Sequence, residues 1–193
     1  GGYAMSILPA LRKRPAAQHG WNCHPSFNSG NLNQLGLTLD LQTDQGIDLL
    51  RTLLHSTDIV VENFTPRVLS SLGISYATMR TIRPDIILCS ISGFGATGPY
   101  SNRPSNGGTI EPASGMSSLL GFRGEGPRNS GATFPDPAAA ASAFVAILAA
   151  LRHRDRTGEG QHIDVSMQEA ALTLIGDAVL EFETTGRERE RMG

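Results

Sequence analysis

The sequence predicts an α/β fold: a Rossmann-like parallel sheet with helices on both faces. Short unbroken apolar runs, "DIVVENF" and "DIILCSIS", read as strands covered on both sides. Segments of helical period separate them, and strand and helix alternate along the chain. A parallel sheet joined by right-handed crossovers satisfies that order.

Residues 1–35 contain Pro9, Pro15, Pro25, Gly20 and Gly30 without sustained periodicity, and read as mostly irregular. "LTLDL" at 37–41 is strand-like. "DQGIDLLRTLLHS" then sets Ile47, Leu50, Leu53 and Leu54 on one helical face. After "DIVVENF" come two short helices, "RVLSSLG", ended by Gly73, and "SYATMRTIRP", stopped before Pro84. "DIILCSIS" is the next strand, and residues 93–108 form a long loop rich in Gly, Pro, Ser and Asn. A helix from about Pro137 to Arg154, a turn at "RTGEG", a strand "QHIDVSM" and a helix from about Gln168 to Thr185 complete the order. The closing "RERERMG" reads as a solvated helix end. In such sheets ligands gather beyond the carboxyl ends of the strands, here Glu62-Asn63-Phe64 and Ser92-Gly93-Phe94.

Composition narrows the function. The 193 residues are 39% hydrophobic and 18% charged, with a net charge of -2. That balance describes a globular chain and gives no electrostatic ground for nucleic acid or an anionic membrane surface. Cys23 and Cys89 fit no metal-ligand spacing and read as free thiols of a cytoplasmic protein. "MSILPALRKRP" has its apolar run before its basic cluster, the reverse of a secretory signal, and no run reaches the ~20 apolar residues of a membrane span.

Several motifs point away from common chemistries. Gly93, Gly95 and Gly98 spell G-x-G-x-x-G after a strand, but "PYSNRPSNGG" cannot continue the helix that a dinucleotide fingerprint requires. These glycines fit better a loop whose backbone approaches a ligand or another chain. The five histidines form no H-x-x-x-H or H-E-x-x-H pattern, so no metal is expected, and His55 and His153 suit helix C-termini. No G-x-S-x-G elbow occurs.

Asp136, between Pro135 and Pro137, carries the sharper question. As an N-cap followed by a proline at the first helical position it needs no further role. Small side chains at Ala138 to Ala141 leave space beside it, however. A carboxylate held at a helix N-terminus can serve as a nucleophile.

"VVENFTP", "RTIRPDIILCSISGFGATGPY", "GATFPDP" and "ALRHRDRTGEGQHIDVSMQEAAL", in this order, closely resemble the family III CoA-transferases, the CaiB–BaiF family. The resemblance runs from about Asn31 to the C-terminus. It implies a central α/β domain at 31–193 after an irregular segment at 1–30, with the family's first strand–helix unit and small C-terminal domain outside the chain. It implies transfer of CoA between carboxylic acids, with acyl-CoA and an acid acceptor as partners, in an interlocked homodimer. Coenzyme A is then a substrate, with no permanently bound cofactor. Gly131 and Asp136 match the family's G-x-x-x-x-D segment, which makes Asp136 the nucleophile that forms an anhydride and then an aspartyl-CoA thioester. The resemblance places CoA against Leu39, Asp40, Leu41, Gln42, Asn63, Phe64 and Met167.

The chain departs from the family at a few positions. "NLNQLG" lacks the basic residues common before "LTLDL", Arg67 stands where a glycine commonly follows the proline, and Ala140 replaces a frequent glycine. Asn106 and Gly107 occupy the loop where the family's racemases carry a His-Asp pair, which favours a transferase over a racemase or isomerase. The missing basic residues keep a third reading open, a non-catalytic CoA-binding or dimerising fragment. Exposed apolar surface is expected where the absent unit and a partner chain would pack.

Overall fold

The computed structural model describes residues 25–192. The chain divides into two units, Gly1–Leu39 and Asp40–Gly193. In the first, α1 (Pro25–Gly30) is one helical stretch within the region expected to be irregular. The expectation for residues 1–24 lies outside the described residues.

The second unit contains α2 (Asp44–Leu54), β1 (Ile59–Glu62), α3 (Val68–Ser71), α4 (Tyr76–Ile82), β2 (Ile87–Ser92), α5 (Gly107–Ala113) and α6 (Met116–Leu119). It continues with α7 (Pro135–Thr157), β3 (His162–Ser166), α8 (Met167–Leu172), a 3-10 turn (Thr173–Ile175) and α9 (Gly176–Thr185). The strands form one parallel sheet in the order β1-β2-β3. Ile59 pairs with Ile87, and Leu88 with His162.

Helices cover both faces of β2, as its apolar run requires, whereas β1, expected to be covered on both sides, leaves Val61 56% exposed. Leu88 joins Leu54, Ile74, Met79 and Ile86 in one core. Its neighbour Cys89 points the other way and packs with Ala139, Ala143, Val165 and Ala170 in a second. The alternation of side chains along β2 thus divides one strand between two cores. Ala139, Ala143 and Ala150 are the buried stripe of α7, and their small side chains let that long helix lie close to the sheet. Leu53, expected on the buried face of α2, is exposed, while Leu54 is buried.

Other expectations are corrected. "LTLDL" forms no strand. The Asp40 side chain accepts a hydrogen bond from Gln42 N (3.0 Å) and its carbonyl accepts one from Thr43 N (3.2 Å). These bonds turn the chain into α2, whose N-cap is Thr43. The expected loop gives way to α5 at Gly107, where Asn106 and Thr109 form a reciprocal capping box. The C-terminal helix is broken at the 3-10 turn, where Thr173 Oγ1 donates to Ala170 O (2.7 Å). "RERERMG" is not a helix end: Arg189 pairs with Asp177 and Glu181, and Arg191 donates to the carbonyls of Ser118 and Glu125.

Phe144 and Val145 on α7 are 62% and 66% exposed, and Leu180 on α9 is 64% exposed. The unit therefore presents apolar surface to solvent. Among the described residues no helix is long and apolar enough to cross a membrane.

Candidate active site

Asp136 stands two residues deeper in its helix than the sequence indicates. Phe134 occupies the N-cap without a side-chain cap, Pro135 takes the first position, and Asp136 the second. Both prolines fit because the first-turn N–H groups have no partner within the helix. Asp136 is not the cap. Its carboxylate lies in the positive first turn of a 23-residue helix. Among the described residues its side chain shows no hydrogen bond and no ion pair. An exposed, uncommitted carboxylate keeps its lone pairs available for attack.

The segment before Asp136 is held by α5. Pro112, inside that helix, has no N–H to offer Gly108 O. Asn129 Nδ2 donates to that carbonyl instead (3.3 Å), while Asn129 Oδ1 accepts from Ser117 Oγ (2.6 Å). Glu111 is 1% exposed. Its two carboxyl oxygens accept from Ser130 N (2.5 Å) and Ser130 Oγ (2.7 Å). Beyond this anchor the chain turns through Gly131 (φ 75°) and Thr133 (φ 47°). Thr133 O then accepts from Asp136 N at 3.0 Å. A β-branched residue at positive φ is a strained conformation that the surrounding bonds impose.

Asp136 borders a cavity of about 180 Å³ with Asn63, Phe64 and Met167, three of the residues the sequence marked for CoA. Asn63 and Phe64 follow β1, where the sheet argument placed a ligand, and Met167, marked only by the resemblance, follows β3. Asn63 does not cap the next helix, since Arg67 holds that place. The volume is below the ~300 Å³ of a drug-sized pocket, so it suits the reacting end of a ligand only. Asp40, Leu41 and Gln42 do not border it; they form the turn into α2. Leu39 belongs to the first unit.

Sequence reasoning named Ser92 only as a strand end and missed Arg103, and both line the cavity. Ser92, at the end of β2, is 8% exposed, and its Oγ finds no partner among the described residues. An orphaned buried hydroxyl at a cavity wall is a place for a ligand oxygen. Arg103 is the one cation lining the cavity among the described residues, its guanidinium 4.1 Å from the Tyr100 ring, which meets Phe94 edge-on. It is the sole charged residue of loop 93–108, a signal the sequence did offer. Gly107 does not line the cavity but stands against Asp136, and the sequence marked it only as part of the loop where the family's racemases carry a His-Asp pair. The loop glycines open no helix before Gly107, and Gly95 adopts φ 81°, a conformation suited to glycine.

An adjoining cavity of about 220 Å³ shares Phe64 and Ser92 and is lined by Glu62, Tyr76, Ser90, His162 and Asp164. Here His162 Nε2 lies 3.0 Å from Ser90 Oγ, and both Asp164 oxygens accept from Ala96 N. Burial raises the Tyr76 hydroxyl above its ordinary pKa. No group of His, Cys, Asp and Glu able to hold a metal ion occurs among the described residues.

Known proteins supply the family. Residues 10–193 match the model of CoA-transferase family III. The chain is 35% identical over 161 residues to a succinyl-CoA–D-citramalate CoA-transferase of Chloroflexus aurantiacus, covering 83% of this chain and 40% of that protein. It is 32% identical to a succinate–glutarate CoA-transferase of Agrobacterium fabrum, over 86% of this chain and 42% of the relative. A crystal structure of a CaiB/BaiF family protein from Brucella suis superposes with a TM-score of 0.80 at 34% identity, over 83% of this chain and 42% of that one. The chain thus spans about two-fifths of the length of these relatives. By fold, by sequence and by the extent of the match, the chain belongs to CoA-transferase family III.

Proposed function

We propose that the protein transfers CoA between small carboxylic acids, with Asp136 as the covalent nucleophile. The observation that carries this reading is the Asp136 carboxylate, unpaired among the described residues, anchored at a helix start and bordering a cavity shared with Asn63, Phe64 and Met167. One Asp136 oxygen attacks the thioester carbonyl of the donor acyl-CoA, expelling CoA thiolate and leaving a mixed anhydride. The thiolate attacks the aspartyl carbonyl, releasing the donor acid and forming an aspartyl-CoA thioester. The acceptor carboxylate attacks that thioester, and thiolate leaves again. It then attacks the acceptor carbonyl of the second anhydride, giving the new acyl-CoA and free Asp136. Every step conserves charge and needs no external proton donor. Holding the reactants in line is the protein's main contribution.

Ser92 Oγ offers a hydrogen bond and Arg103 a positive charge to the ligand. The relatives named above act on succinyl-CoA, D-citramalate, succinate and glutarate. We assign a small dicarboxylic acid to this protein as acceptor, its distal carboxylate paired with Arg103. Among the described residues the cavity lining holds no histidine and no second carboxylate, which disfavours a two-base proton shuttle. Residues 31–193 serve as the central α/β domain, and the exposed faces of α7 and α9 support dimerisation in the whole protein.

The test uses the full-length protein with succinyl-CoA and a panel of malate, citramalate, glutarate and oxalate acceptors. Hydroxylamine or borohydride trapping during turnover should label Asp136. Asp136→Asn and Asp136→Ala should abolish transfer and labelling. Each should cost no more than ~1 kcal/mol of stability, since only a dipole interaction is lost and no cap. Normal turnover by Asp136→Asn, verified free of deamidation, would refute the covalent role. Alpha-proton exchange with deuterated water in the absence of acid transfer would point to an isomerase instead. Binding of CoA by calorimetry with no turnover of any pair would leave a binding module.

A further inference from the structure

We propose that Gly107 is a positioning residue: its missing side chain provides the space in which the Asp136 carboxylate rests. The inference rests on the nucleophilic reading of Asp136. An ideal Cβ built on Gly107 would overlap Asp136 Oδ2, lie 2.8 Å from Asp136 Cγ and stand 3.0 Å from Thr133 Cβ. Carbon atoms cannot approach so closely. Gly107 is buried, and its φ is not positive, so the backbone does not call for glycine. It opens α5, where alanine is the better helix former. Local preference alone would therefore select a larger residue.

What must yield to a methyl group at this position follows from the surrounding bonds. The chain carrying Asp136 cannot retreat. Glu111 fixes Ser130 on one side, and Pro135 is buried on the other. The Asp136 side chain is the flexible end, so the carboxylate rotates away while the fold persists. Helix α5 thereby performs two tasks four residues apart on one face: Glu111 anchors the approach to Asp136, and Gly107 receives its carboxylate.

The experiment compares Gly107→Ala with Asp136→Asn in the full-length protein, using succinyl-CoA and the best acceptor from the panel above. A carboxylate displaced by about 1 Å should lower kcat of Gly107→Ala about 100-fold. KM for succinyl-CoA should stay within about threefold, because the binding surface is kept. The melting temperature should not fall. Trapped label at Asp136 should decline with kcat. Gly176→Ala, also at a helix start but with open space around it, should match the parent in every respect. If Gly107→Ala is unstable, Gly107→Ala/Thr133→Gly decides, because it removes the Thr133 contact and keeps the overlap with Asp136. Parental kcat in a folded Gly107→Ala, with Asp136→Asn inactive, overturns this proposal alone. Normal turnover by Asp136→Asn overturns the nucleophile and the positioning role together.

Discussion

Glu111 offers the most direct measurement of how tightly the site is held. Its carboxyl group is buried, and both oxygens are occupied by one residue, Ser130, through its backbone N–H and its hydroxyl. Glu111→Ala removes both acceptors at once. An unsatisfied N–H costs about 1–3 kcal/mol when buried, but Ser130 is partly exposed, so water recovers some of that. The void left by the lost side chain adds about 1 kcal/mol or more. The expected destabilisation is about 2–3 kcal/mol, a fall of roughly 4–12 °C in Tm for a chain of this size. Glu111→Gln keeps the volume: its carbonyl faces Ser130 N, and its amide donates to Ser130 Oγ. It should cost about 1 kcal/mol. Thermal and urea denaturation of both variants and of Ser130→Ala, combined in a double-mutant cycle, should give a coupling of at least ~1 kcal/mol. A Glu111→Ala variant within about 0.5 kcal/mol of the parent, or additive effects, would show that the clamp carries no energy.

Arg67 holds a left-handed conformation (φ 82°) that costs a non-glycine residue about 1–2 kcal/mol. Glycine's extra freedom in the unfolded chain offsets about half of that, so Arg67→Gly should raise stability by about 0.5–1 kcal/mol and Tm by roughly 1–4 °C. A lower Tm would show that the Arg67 side chain contributes packing. At the other end of the strands, the hydrogen bond from Arg83 holds the Asp85 carboxyl below its ordinary 3.8, opposed by desolvation and helped by the charges of Arg83 and Arg154. A depressed folded pKa gives stability that is present above the unfolded value and lost as pH falls through the folded one. The urea midpoint should therefore drop as pH is lowered below about 4, and Asp85→Asn should make that drop shallower. Parallel pH profiles for parent and variant would contradict this.

The fold class was legible because it rests on patterns that survive in one dimension. "DIVVENF" and "DIILCSIS" are apolar on both faces, as strands inside a helix-covered sheet are, and β1 and β2 lie there, although β1 leaves Val61 exposed. Helix α7 could be read from its alanine run, though its start could not, because either proline is acceptable in a first turn. "LTLDL" shows the limit of period. A strand needs a partner to receive its hydrogen bonds, and the turn bonds made by Asp40 redirect the chain first.

The site divides along the same line. Asp136, Asn63, Phe64 and Met167 could be nominated through motifs that resemble the family's, and strand order by itself pointed to Asn63 and Phe64, since motif and position past a strand are written locally. That they border one cavity, together with Arg103 and the unpartnered Ser92, is a matter of the sheet, which brings residues more than a hundred positions apart to one edge. Glu111 was invisible to pattern, one among many acids, and Gly107 stood out only as part of the loop where the family's racemases carry a His-Asp pair. Their roles come from what stands opposite them, and only the packing of α5 against the segment before α7 decides that.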